Sequence, residues 1–411
     1  MSIGRDDIGQ RSETVRRANL SAIVRELHAH GPLSRSELVA RTGLTRSAIR
    51  GLIGELADAG LVTESPAARL GMPGRPSPLV RLDPGGAVVI ALEIEVDANA
   101  AAIVGLGGHV FELELVDRPR GHSSLDDTVA DLADLAALVR SRRPPSDRLV
   151  GVGAAVAGIV RRADGFVSMA PNLGWRDVPL GGRLAGALAV SVPVSVANEA
   201  DLGALAELRR GAAIGADHVL FISGEVGVGG GLIVDGRPLT GAAGYGGEVG
   251  HMTVNPDGAP CRCGSVGCWE TEVGGGALLA LAGRPRESGR AGIDAVVSEA
   301  AAGSETALAA LDQVGRWLGL GLASLVNVLD PRLIVLGGLF GRIHPYVIGP
   351  LTSALDRRAL PASRALVHVV PAALGVDAAL LGAAELAFEA LLANPATWVA
   401  SRETPAELAT A

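Results

Sequence analysis

Residues 247–270 read GEVGHMTVNPDGAPCRCGSVGCWE. Within them, His251-x9-Cys261-x-Cys263-x4-Cys268 sets one imidazole and three thiols into an 18-residue span, and these are the only 3 cysteines of the chain. Thiols clustered in this way point to a metal site more than to a disulfide framework. Zn²⁺ takes a closed tetrahedral Cys3His shell at structural sites, which leaves no position for a reactive water. Gly258, Gly264 and Gly267 between the ligands permit the sharp turns such a knot needs. The spacing predicts a structural Zn²⁺ on His251, Cys261, Cys263 and Cys268 and argues against a catalytic one.

Outward from the knot, strand and helix patterns alternate. Val88–Val96, Ala100–Val104 and His109–Val116 read as strands, followed by Leu149–Val156 and Val192–Ala197. His218–Ile222 and Gly229–Val234 again give strand, Gly-rich turn and strand, with Leu333–Leu336 and Leu366–Val370 later. Helical periodicity covers 124–142, 200–211, 304–329, 345–358 and 377–392. An α/β chain of two similar lobes with a cleft between them is expected, and such clefts are where ligands usually bind.

The first 82 residues follow a different pattern. Leu20, Ile23, Val24 and Leu27 form one apolar helical stripe, stopped by Gly31-Pro32. Ser34-Arg35-Ser36-Glu37 is a capping box that opens a short second helix. After the turn Thr42-Gly43-Leu44, Thr45 can cap a third helix whose Ile49, Leu52, Ile53 and Leu56 face inward. Arg46, Ser47 and Arg50 then project outward, where a recognition helix meets base edges in the major groove. Leu61–Thr63 and Leu79–Leu82 can pair as a wing, and Arg75 on the Gly74-Arg75-Pro76 loop between them can enter a narrow minor groove or simply form the wing tip. A structural three-helix bundle is the competing reading; the short second helix, Gly turn and hairpin favour a winged helix-turn-helix.

Charge follows the same division. Residues 1–82 hold 12 Arg against 8 Asp and Glu, a net of +4 within a chain of net charge −8, so the remainder carries −12. A basic segment on an acidic body suits a module facing a polyanion. The expected domains are 1–82 for DNA, 83–200 for a first lobe rejoined by 377–411, and 201–376 for a second lobe with the metal. At 411 residues and 48% hydrophobic content the chain can fill these cores. Apolar runs break before the roughly 18 residues a membrane helix needs, and MSIGRDDIGQ lacks the apolar core of a signal peptide, so a cytoplasmic protein without membrane contact is expected.

Gly247-Glu248-Val249-Gly250-His251 with Cys261-Arg262-Cys263-Gly264-Ser265-Val266-Gly267-Cys268-Trp269-Glu270 resembles the signature of the ROK family of repressors, open reading frames and sugar kinases. Val196–Asp201 and Asp330–Gly338 match further family segments, and the leading winged helix gives the arrangement of ROK transcriptional regulators. The resemblance implies a two-lobed actin-like (ribonuclease H-like) fold, a structural zinc beside a sugar pocket, and a homodimer or homotetramer. It also implies that Asn172, Asn198, Glu199, Glu248, His251 and Glu270 contact the sugar. His251 would then serve metal and sugar through its two ring nitrogens.

ROK sugar kinases carry an Asp-x-Gly-x-Thr phosphate loop in the first hairpin, where this chain has Glu93-Ile94-Glu95-Val96-Asp97. The amides that glycines would bring to phosphate are missing there, and the added carboxylates repel ATP. Glu199 also stands where the kinases use Asp as general base. The expected function is a sugar-gated repressor, not an enzyme, which binds a palindromic operator and leaves it when sugar enters the cleft. The alternative is an active ATP-dependent, glucokinase-like enzyme.

Overall fold

The computed structural model describes residues 5–66, 77–118 and 124–403. Helix α1 (Arg5–His30) is followed by β1 (Leu33–Ser34), α2 (Arg35–Thr42), α3 (Arg46–Asp58), β2 (Val62–Ser65) and β3 (Leu79–Leu82). Local chemistry sets these limits. Ser34 Oγ accepts from the Glu37 amide at 3.2 Å while the Glu37 carboxylate accepts from the Ser34 amide at 2.7 Å, so both ends of the capping box close. Gly43 ends α2 in the left-handed region (φ +71°), and Thr45 caps α3 by accepting from the Ala48 amide. The wing strands pair antiparallel, and β1 adds to β3 as a third strand.

The first lobe comprises β4 (Val88–Ile94), β5 (Ala98–Gly105), β6 (His109–Asp117), α4 (Leu125–Ser141), β7 (Leu149–Val156), β8 (Ile159–Arg161), β9 (Phe166–Ala170), β10 (Trp175–Val178), α5 (Leu180–Leu188) and β11 (Val194–Asn198); α6 (Glu199–Arg210) then crosses to pack on the sheet of the second lobe. The first lobe's five-stranded sheet runs β11-β7-β4-β5-β6, with β4, β5 and β6 antiparallel and β4, β7 and β11 parallel. The second lobe comprises β12 (Val219–Gly224), β13 (Val228–Val234), β14 (Arg237–Pro238), α7 (Trp269–Val273), α8 (Gly275–Leu281), α9 (Gly289–Ala301), α10 (Glu305–Leu329), β15 (Leu333–Gly337), α11 (Gly338–Arg358), α12 (Pro361–Arg364) and β16 (His368–Pro371). Its sheet runs β14-β13-β12-β15-β16 with the same directions. Both lobes thus have the actin-like order, and the first strand of each sheet turns back at the cleft.

Two helices remain, α13 (Ala378–Ala393) and α14 (Pro395–Glu403). Helix α13 lies on β7 and β4 and along α6. A Cβ at Gly153 of β7 would stand 1.9 Å from the Ala383 carbonyl, so only glycine lets this helix seat so closely. Helix α14 packs on α1 and α3. The sequence reading returns the entire tail to the first lobe; α13 lies there, but α14 covers the head. Leu20, Ile23, Val24 and Leu27 of α1 share one apolar core with Phe388, Leu391 and Leu392 of α13 and Ala396 and Val399 of α14.

Three further differences have physical reasons. The sequence reading starts a helix at 345, whereas α11 starts at Gly338 and passes through Pro345 and Pro350. The prolines look like boundaries locally, yet Phe340, Ile343, Val347 and Leu351 along the same helix are all buried. The small β8-β9-β10 sheet is built of strands too short to show a period. The sequence reading places no helix between 269 and 301, where α7, α8 and α9 stand. Among the described residues, no helix is long and apolar enough to cross a membrane.

Candidate functional site

The metal-type cluster forms where the chain leaves the short turn Val249–His251 and re-enters at α7. The ligand atoms of His251, Cys261, Cys263 and Cys268 all lie within 4.8 Å of one another. Cys263 and Cys268 Sγ are 3.7 Å apart, as are Cys261 Sγ and His251 Nδ1. A tetrahedron with metal–sulfur bonds of about 2.3 Å has edges of about 3.8 Å, so the four donors can hold one metal ion. Bridges Thr253↔Cys268 and Pro260↔Val266 shape the knot, and buried Trp269 fastens it to α10 by donating to the Trp317 carbonyl at 2.9 Å. The His251 ring turns Nδ1 to the thiols and Nε2 toward Glu248, 3.9 Å from its carboxylate. Cys261 Sγ donates to Glu270 Oε1 at 2.8 Å, which joins the knot to the cleft wall.

Across the cleft, Asn198 caps α6: its Oδ1 accepts from the Ala200 and Asp201 amides at 2.7 and 3.3 Å, and its Nδ2 donates to the Gly158 carbonyl at 2.9 Å. One amide N–H of Asn198 remains for another partner. Asn172 Oδ1 accepts from Arg262 Nη1 at 2.7 Å, a bond between the first lobe and the knot. Glu270 lies near the same spot, since a Cβ at Gly227 would stand 2.8 Å from Glu270 Oε2 and 3.6 Å from Asn172 Nδ2. The structure therefore brings Asn172, Glu270, His251 and Glu248 together at the knot, with Glu270 Oε1 3.7 Å from His251 Nδ1, while Glu199 opens α6 beside Asn198.

Burial dominates the electrostatics of this cleft. It pushes the Glu199 carboxyl to about 8, helped by Glu225, Glu95 and Glu248. Burial likewise raises Asp201 to about 7 against the opposing charge of Arg162, and Glu225 to about 7 against Arg290. Glu93, on the first hairpin, is raised well above the usual carboxylate range by burial and by the facing Glu95 and Glu199. Such groups both donate and accept hydrogen bonds near neutral pH, which suits vicinal hydroxyls, while additional negative charge is unwelcome. Sequence reasoning misses Arg262 as a partner of Asn172; its place between two metal ligands was the available signal. Asp201, one turn into α6, was another residue to find.

On the head, Arg46, Ser47 and Arg50 are all exposed on α3. With Arg35, Ser36, Val39, Ile49 and Ser77 they line a concavity of about 440 Å³. Arg35 is held toward this face by Glu64, with Nε donating at 2.6 Å. Arg75 lies outside the described residues. Arg16 and Arg41 pair with Glu55 and Glu26.

Comparison with known proteins agrees with these two parts. The ROK family pattern matches residues 89–390, and the MarR family pattern matches residues 20–69. A xylose repressor of Bacillus spizizenii is 29% identical over 380 residues, covering 92% of this chain and 97% of that protein. The crystal structure of a ROK family transcriptional regulator, a homolog of the E. coli MLC protein, superposes with a TM-score of 0.74 at 25% identity over 94% of this chain and 97% of that one. A ROK family glucokinase from Streptomyces griseus, in complex with glucose and AMPPNP, gives a TM-score of 0.65 at 30% identity over 73% of this chain and 99% of that one. The chain, with its paired ribonuclease H-like lobes behind a winged helix-turn-helix, belongs to the ROK family.

Proposed function

We infer that this protein is a sugar-responsive DNA-binding repressor that leaves its operator when a sugar occupies the cleft. The observation that carries this is the presence in one chain of an exposed Arg46-Ser47-Arg50 face and a hydroxyl-suited cleft of half-buried carboxyls and amides whose acids are raised toward neutrality. Full-length similarity to a xylose repressor supports it. The effector is a neutral aldose, pentose or hexose, held by Asn172, Asn198, Glu199, Glu248, His251 and Glu270. The metal is zinc in a structural role: it cross-links the knot that presents His251, Glu270 and Arg262 to the cleft. Residues 1–82 read DNA; 83–200 with α13, and 201–376, form the sensing lobes, and α14 braces the head. A homodimer or homotetramer would set two recognition helices in successive major grooves of a palindromic operator, about 34–36 Å apart.

The protein is not a kinase on this reading. Glu93, Glu95 and Glu225 crowd the two hairpins where a nucleotide's phosphates would lie, and burial already opposes their ionisation. Glu199 adds a methylene to the position of the kinases' catalytic Asp, and a misplacement of about 1 Å can cost on the order of 100-fold in rate. The glycines retained at 227 and 229–231 and the likeness to glucokinases favour the second reading, an ATP-dependent sugar kinase. Operator affinity measured at fixed salt with and without D-xylose, D-glucose and related aldoses tests the first; ADP release with the same sugars tests the second. Weakened operator binding with one sugar and no turnover is the expected result, and turnover without a change in operator affinity would reverse the assignment.

A further inference from the structure

One helix joins the cleft to the head. At its N-terminus α6 carries Asn198 and Glu199; its 12 residues span about 18 Å to Arg210 at the other end. Arg210 Nε donates to Glu385 Oε1 of α13 at 2.6 Å, and Nη1 donates to the Gly107 carbonyl at 2.6 Å. Its Nη2 donates to the same Glu385 oxygen at 2.5 Å, and that carboxylate joins it to His28 of α1 of the head, whose Nε2 lies 2.8 Å from Nη2. The Gly107 amide donates to His28 Nδ1 at 3.2 Å, which leaves Nε2 to donate to Glu385 Oε2 at 2.9 Å. His28 and Glu385 are each only 3% exposed, although 357 residues separate them. Glycine at 108 makes the room, since a Cβ there would stand 2.2 Å from Arg210 Nε.

The far end of α6 is also bound rigidly to the body. The buried Glu207 carboxylate accepts from the amides of Ala212, Ala373 and Leu374, the last two on the segment that leads into α13. Helices α6 and α13 are therefore tied to each other and pack along their length. Together they grip α1 at two places: the His28–Glu385–Arg210 cluster, and the Leu392 carbonyl, which accepts from Ser21 Oγ at 2.6 Å. Polar groups buried in such a network have few alternative arrangements, because any displacement leaves a charge or a donor unpaired.

We propose that Arg210, Glu385 and His28 are positioning residues for operator release: they convert a shift of α6 at the occupied cleft into a shift of α1 and hence of the recognition helix. The proposal rests on the reading of the cleft as the effector site. Neither cores nor exposed ion pairs would do this as well. The apolar core between α1 and α13 holds the helices together, and this cluster adds directional bonds that tie α1 to α6 as well as to α13.

The test uses the full chain with Glu385→Gln, which keeps the shape and removes the charge. Three quantities are read with D-xylose and D-glucose as probes: sugar binding by calorimetry, the ratio of operator Kd with and without sugar, and amide exchange over residues 20–30. In the wild type the sugar that binds should change the Kd ratio by about tenfold or more and alter exchange in α1. Glu385→Gln should still bind that sugar while the ratio falls toward 1 and the α1 exchange response disappears. If the variant binds sugar and retains the wild-type ratio, the cluster is only an anchor and the proposal is overturned. If the wild type binds sugar but shows no change in ratio, or binds neither sugar, the effector reading fails first and takes this proposal with it. Should Glu385→Gln not fold, His28→Gln removes the head's half of the contact and is held to the same outcomes.

Discussion

The two lobes share a strand order and even a turn motif, yet they carry opposite attachments. Glu95-Val96-Asp97 links β4 to β5 in the first lobe, and Glu225-Val226-Gly227 links β12 to β13 in the second. In the first lobe the sheet is covered by α13 and, through it, by the head and α14, in one continuous apolar core. In the second lobe the chain after β14 is spent on the Cys3His knot and on the long pair α10 and α11. The same framework thus serves two tasks. On the proposed function, the second lobe would present a metal-held wall to the ligand, and the first lobe would hold what moves in response. Damage to each lobe should therefore separate gripping from DNA reading.

Metal removal should give the largest effect. Structural zinc contributes about 10 kcal/mol or more to the folding of small zinc domains, so stripping with a chelator, or Cys268→Ser, should unfold the knot. Calorimetry should show a low-temperature transition for the second lobe and loss of sugar binding, while operator binding persists. Operator binding that vanishes together with the metal would break the comparison. The converse experiment is Gly153→Val in β7. A side chain there collides with the Ala383 backbone, and lifting α13 should cost about 3 kcal/mol, the upper end for overpacking. Operator affinity should fall steeply while metal analysis still finds one ion per chain.

What the sequence shows of each lobe follows the range of the interactions. The capping box of Ser34 and Glu37, the Thr45 cap and the four ligands between His251 and Cys268 act over a few to 18 residues, and all can be read in one dimension. The bond between Asn172 and Arg262 joins positions 90 apart, and the one between His28 and Glu385 joins positions 357 apart. A histidine on an apolar helix face and a glutamate within AAELAFEA look like ordinary residues until the fold buries them together. Helix α14 is hidden for the same reason: PATWVASRE is short and only weakly amphipathic, and its partner is the first helix of the chain.

The cleft itself should carry a pH signature of intermediate size. The Glu199 carboxyl lies near 4.5 when solvated and at about 8 in the folded protein, where burial and the facing acids raise it. A raised carboxyl means that the folded state takes up a proton, so its contribution is full below about pH 4.5 and is lost as pH rises through 8. Asp201 and Glu225, both at about 7, act in the same direction. Tm should therefore fall between pH 6 and 9, and Glu199→Gln should reduce that fall by a few degrees. An unchanged slope in the variant would mean that solvent reaches this end of α6 freely.

The smallest effect is expected where the lobes meet directly. Arg290 on α9 reaches Glu95 on the first hairpin, Nη2 to Oε2 at 3.1 Å, with the guanidinium about half exposed. An ion pair so exposed contributes about 0–1 kcal/mol, so Arg290→Ala should barely move Tm. It nonetheless spans the cleft, and it is the charge that opposes the upward shift of Glu95 caused by burial and Asp97. Its loss should leave Glu95 protonated over a wider pH range and let the hairpins part more readily. Sugar should then associate faster with little change in how fast it leaves, which stopped-flow tryptophan fluorescence can follow. A Tm loss well above what an exposed pair can supply would show that the two lobes depend on each other for stability, and the division between gripping and transmitting halves would have to be redrawn at α9.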